Sequence, residues 1–118
     1  LIPLFLSNQT LNGQFIYNPG PGWCMGFEEN FAWRDTVRNL SFVNDSFQRI
    51  PNNISRYSQL EGIEITQDLA DNFESSVKQL VVMPGLKTIY FYQCSKVPKS
   101  LVELKQIEHV RLTNSFQL

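Results

Sequence analysis

The sequence predicts an α/β solenoid: a short stack of similar turns with a parallel β-sheet on the concave face, mostly irregular turns and one helix on the convex side, and an N-terminal cap. Three observations predict it. Apolar residues fill positions 1, 4 and 6 of one frame four times, as Val37, Leu40 and Phe42, then Leu60, Ile63 and Ile65, then Leu86, Ile89 and Phe91, then Ile107, Val110 and Leu112. The frames begin 23, 26 and 21 residues apart, a period that signals stacked units rather than one globular core. The segments that return from the strands agree as well. Ile50-Pro51 followed by Ile54 matches Val97-Pro98 followed by Leu101, and each proline stands nine residues before the next frame.

Each element follows from side-chain geometry. In an extended segment positions 4 and 6 point to one face and positions 3, 5 and 7 to the other. One turn of this length cannot bury its apolar side, whereas stacked neighbours share a continuous core. The prolines fix the backbone and remove a donor, which suits an irregular turn leading to the convex side. In the second unit, Asp71-Asn72-Phe73-Glu74 followed by Val77, Leu80 and Val81 has helical spacing. There the sequence predicts a helix with Asp71 or Asn72 as N-cap and Pro84-Gly85 as the stop. The other return segments predict short turns.

Residues 37–118 resemble the leucine-rich repeat family, with VRNLSFVNDSFQRIPNNISRYSQ reading as a nearly complete repeat and LKTIYFYQCSKVPKSLVELKQ as a shortened one. The resemblance implies a repeat stack with starts at 37, 60, 86 and 107 and protein binding on its concave side. It also implies that the ninth position of each repeat bonds exposed backbone inside the turn. Asp45, Asp68, Cys94 and Ser115 hold that position, with Asn44 and Asn114 one place earlier.

Residues 1–36 lie outside the resemblance and form the N-terminal extension and cap. Turn residues dominate Asn12-Gly13 and Asn18-Pro19-Gly20-Pro21-Gly22, and aromatics crowd the approach to the first frame. A solenoid exposes the apolar end of its stack, so Phe27, Phe31 and Trp33 are expected to cover it, with residues 28–33 as a short helix. The run LIPLFL reads either as a signal-peptide remnant or as a strand of the cap. After Leu112 too few residues remain for another return segment, and the last strand is expected to be an open edge. The chain is therefore expected to be part of a longer solenoid, or to have that edge paired by something else.

A net charge of −1 with ten basic residues spread along the chain argues against nucleic acid. No apolar stretch approaches the ~20 residues that span a bilayer, so no transmembrane segment is expected. Asn8, Asn39, Asn44 and Asn53 each begin an N-x-[ST] sequon, where composition alone would give roughly one. They point to an extracellular or cell-surface glycoprotein; the alternative is a subunit of an organellar or outer-membrane complex. Cys24 and Cys94 are expected to be buried thiols too far apart to pair.

Catalysis is not expected. His109 is the only histidine, and with two distant cysteines it cannot build a usual zinc site. Glu108 adjoins it but points to the opposite strand face. No glycine loop suited to phosphate is present, and no cofactor is expected. Glu28-Glu29 and Glu61 with Glu64 read first as solvated surface.

A recognition surface is the stronger expectation. Positions 3, 5 and 7 place Asn39, Ser41 and Val43, Gly62, Glu64 and Thr66, Thr88, Tyr90 and Tyr92, and His109, Arg111 and Thr113 on one concave sheet. Glu64, Tyr90, Tyr92, His109 and Arg111 combine charge with aromatic area, the mixture of a protein or peptide contact. The tyrosines also suit a strand as cross-strand neighbours, and Arg111 could pair with Glu64 or Glu108. Two other readings remain: a permanent subunit of a larger assembly, held through the C-terminal edge, and a carbohydrate-binding surface using Trp23, Tyr90 and Tyr92 as stacking platforms.

Overall fold

The computed structural model describes residues 22–113 together with two short strands, β1 (Thr10–Leu11) and β2 (Gln14–Phe15), which pair antiparallel. The remainder is one five-stranded parallel sheet with few helices, compatible with an α/β fold. Its strands are β3 (Cys24–Met25), β4 (Asn39–Ser41), β5 (Gly62–Ile65), β6 (Thr88–Tyr92) and β7 (His109–Thr113). They lie side by side in chain order.

The register is the one the apolar spacing requires. Leu40 stands opposite Ile63, Ile63 opposite Ile89 and Ile89 opposite Val110, so all frame positions align across the sheet. A slip of one residue would turn every apolar side chain to the other face. At the entrances of β4, β5 and β6 the same forked bond recurs: the carbonyls of Arg38, Glu61 and Lys87 each accept two backbone N–H groups from the following turn of chain.

The return segments carry the prolines into nearly identical geometry. Pro51, at φ −58° and ψ 144°, leads into a 3₁₀ turn over Asn52–Arg56, and Pro98, at φ −64° and ψ 140°, leads into one over Lys99–Glu103. In both, the proline carbonyl accepts the N–H of the apolar residue three places on, Ile54 or Leu101. Between β5 and β6 the connection is more helical than expected. It comprises α1 (Gln67–Asp71), a 3₁₀ turn over Phe73–Ser76 and α2 (Val77–Val81). Of the two expected N-caps, Asn72 stands at the N-cap position of the 3₁₀ turn over Phe73–Ser76, without a side-chain capping bond, and Asp71 does not; the helical connection begins earlier, where Thr66 caps α1 with its side chain 3.5 Å from Leu69 N and Asn72 ends that helix. Thr66 is extended at ψ 174°, so the chain turns helical directly after β5.

The core lies between the sheet and these returns. Leu40, Phe42, Ile63, Ile65, Ile89 and Phe91 are wholly buried. Phe27 joins them, stacked 6.1 Å from Phe42 and tilted at 5.2 Å from Tyr57, whose hydroxyl donates to the Phe27 carbonyl. Phe31 packs on this cluster, whereas Trp33, expected with it, is half-exposed and stands outside the core. The expected short helix over 28–33 narrows to a 3₁₀ turn over Phe31–Trp33.

The largest departure is β3, because the segment read as a cap adds a strand to the sheet. Cys24 stands opposite Leu40 and therefore occupies the fourth position of an earlier frame. The frame is illegible in sequence because Gly26 sits where the sixth apolar residue belongs and the spacing to the next unit is short. Gly26 has φ +96°, and a β-carbon there would lie 2.5 Å from Glu29 Oε1. Asn30, wholly buried, donates to the carbonyls of Met25 at 2.9 Å and Gly26 at 3.0 Å and so closes this turn. Among the described residues no helix is long and apolar enough to cross a membrane.

Candidate functional site

Alternation along the strands sends Thr88, Tyr90 and Tyr92 of β6 away from the core, with His109 and Arg111 beside them on β7. The fifth frame position runs across the whole sheet as Met25, Ser41, Glu64, Tyr90 and Arg111, each opposite the next. This row changes character along its length. Met25 is 2% exposed and Ser41 and Glu64 are 0% exposed, whereas Tyr90 is half-buried and Arg111 is exposed. The face therefore has a closed half over β3 to β5 and an open half over β6 and β7.

Trp23 and Gly62 organise the boundary. Trp23, just before β3, meets Tyr90 edge-on with ring centroids 4.8 Å apart and planes at 86°, a favourable quadrupolar contact. Because β4 and β5 lie between β3 and β6, this contact spans the outer face of both strands. Gly62 makes room beneath it: a β-carbon there would lie 2.6 Å from Asn39 Oδ1 and 3.6 Å from the Tyr90 ring. The Tyr90 ring is thereby fixed before any partner arrives. Trp23 itself is buried, so it offers no free stacking platform.

Glu64 departs furthest from expectation. Instead of a solvated carboxylate it is fully buried, and its Oε1 accepts the Ser41 hydroxyl at 2.9 Å. Cross-strand adjacency in the register makes that bond possible. The nearby carboxylates that do reach solvent sit at the strand entrances, where Arg38 meets Glu61 at 2.8 Å and Lys87 meets Glu108 at 3.7 Å. This second-position row, Arg38, Glu61, Lys87 and Glu108, alternates in charge, a signal that the same frame carries in the sequence. Glu108 is thus engaged by Lys87 rather than by Arg111.

The ninth-position residues divide. Asp45 accepts the Phe27 backbone N–H at 3.0 Å and ties the first full turn to the β3 turn. Burial pushes its carboxyl up to about 6, with Glu28 and Glu29 adding repulsion and the Phe27 bond opposing the rise. Asp68 is drawn into α1 and exposed, and Gln67 takes over the bridging by accepting the Ser95 N–H at 2.9 Å. Cys94 is buried and its thiol contacts the Tyr92 carbonyl at 3.5 Å. Ser115 and Asn114 lie outside the described residues. Both cysteines are free and buried, and burial pushes each thiol up to about 11, so neither is an activated nucleophile.

Of the sequons, Asn44 and Asn53 are exposed, Asn39 is half-buried against Gly62, and Asn8 lies outside the described residues. Among the described residues no group of three His, Cys, Asp or Glu side chains is placed to hold a metal ion. Neither protein-family models, curated proteins nor solved structures give a significant match to this chain.

Proposed function

We propose that the chain is a leucine-rich-repeat solenoid acting as a non-catalytic protein-interaction module, with the outer sheet face as its concave recognition surface. The repeat reading is supported by the common register of β4 to β7 and by the matched proline turns. The observation that carries the function is the open half, where half-buried Tyr90 and Tyr92 adjoin exposed His109 and Arg111. Tyrosine beside arginine is among the combinations most often found to anchor protein interfaces. An extracellular setting fits the exposure of Asn44 and Asn53, away from this open half.

A second reading has its own observation. Val110 and Leu112 face the core side of β7 yet remain 44% and 53% exposed, an apolar flank that a permanent neighbour would cover. Affinity purification from the native source separates the two. A partner lost on Tyr92→Ser but kept on Leu112→Ser identifies a recognition face; the reverse pattern identifies a subunit held through the flank.

A further inference from the structure

Resting on the reading of the open half as the interaction surface, we infer that its partner is an acidic polypeptide segment, whose carboxylate is received by Arg111 beside the Tyr90 and Tyr92 rings. The argument is one of charge and order. Among the described residues, the carboxylates on and at the entrances of β5 to β7 are already engaged: Glu64 is buried with Ser41, Glu61 pairs with Arg38 and Glu108 with Lys87. Arg111 takes part in no ion pair among the described residues and is exposed, as is His109 two residues before it on the same face. In a chain whose net charge is −1, this half thus presents one exposed cation, Arg111, that no carboxylate of the described residues pairs with.

The guanidinium presents a planar fork of donors that matches a carboxylate bidentately. Tyr90 stands directly opposite Arg111 in the ladder, and Trp23 holds its ring. That arrangement gives an apolar side chain next to the partner's carboxylate a surface to lie on, at little ordering cost. A single arginine is too little charge to retain a nucleic acid, whereas it suffices to select one carboxylate in a peptide.

The test is an amide-resolved NMR titration of the whole chain with three short peptides of alternating sequence, Glu-Val, Gln-Val and Lys-Val. The Glu-Val peptide is expected to shift the amides of Tyr90, Tyr92, His109 and Arg111 to saturation. Its binding should weaken by about tenfold or more on Arg111→Gln and again when salt is raised from about 50 to about 300 mM. Arg111 is exposed, so the variant should keep the wild-type spectrum elsewhere. Equal binding of the Gln-Val or Lys-Val peptide at these amides would overturn the acidic partner and leave the recognition face standing. Insensitivity to Arg111→Gln would overturn the role given to that residue. If no peptide perturbs these amides up to about 5 mM, a range that detects even weak complexes, both the acidic partner and the open half as its surface fall.

Discussion

Asp45 is the residue at which local chemistry and tertiary packing pull against each other. Its bond to Phe27 N joins two turns of chain, but burial and the neighbouring Glu28 and Glu29 disfavour its charge and raise its carboxyl from 3.8 to about 6. Because the folded value is the higher one, the native state binds the extra proton between these values. Stability contributed by this group is therefore full below about 4 and falls as pH rises to about 6. Asp45→Asn keeps an oxygen for the Phe27 N–H and removes the buried charge. The variant should melt higher than wild type at pH 7 and about equally at pH 4, as read by circular dichroism. Gly62 is the other residue whose identity is set by neighbours. Gly62→Ala places a methyl group 2.6 Å from Asn39 Oδ1 and against Tyr90, and it should cost about 1–2 kcal/mol in urea unfolding. Near-ultraviolet dichroism should change with it as the Trp23 and Tyr90 rings separate.

At the scale of elements, the two proline turns show how far a sequence match carries. Ile50-Pro51 and Val97-Pro98 share backbone angles and hydrogen bonds, because proline fixes φ and the apolar residue three places on must turn inward. The helical connection between β5 and β6 was foreseen from Val77 and Leu80, yet its start was not. Residues 67–71 have no strong apolar period of their own, and Thr66 acts as their cap only once β5 ends there. Ser76 locks this connection to its neighbour: wholly buried, its Oγ accepts the Ile50 N–H at 3.2 Å. Ser76→Ala leaves that N–H without its partner, and a loss of about 1–3 kcal/mol is expected. Urea unfolding at 25 °C measures that cost, and an unchanged midpoint would show that the Ile50 N–H finds another partner.

Across the whole molecule, protection should follow position in the sheet. β5 is flanked on both sides and buried on both faces, while β7 leaves Val110 and Leu112 largely exposed. Local opening begins where a strand has the fewest neighbours and the least buried apolar surface. Hydrogen exchange should therefore be slowest at the amides of Ile63 and Ile65 and at least about tenfold faster at Val110 and Leu112. Uniform rates across the five strands would mean that the sheet opens only as a single unit.

The strands β4 to β7, their order and their register follow from the apolar frame alone, because residues at positions 4 and 6 can be buried together only if successive frames align. The frame also determines that Tyr90, Tyr92, His109 and Arg111 share a face, since the alternation of side chains in a strand is set by the backbone alone. Which part of that face is open is settled by tertiary packing. Exposure depends on what the chain folds over a surface, and no period in residues 37–118 announces that Trp23 reaches Tyr90. For the same reason Glu64, polar and outward by pattern, became buried beside Ser41 while Arg111 in the same row stayed in solvent. β3 was likewise a tertiary decision, because Cys24–Met25 is too short and its frame too broken to be a strand until β4 supplies the hydrogen bonds that make it one.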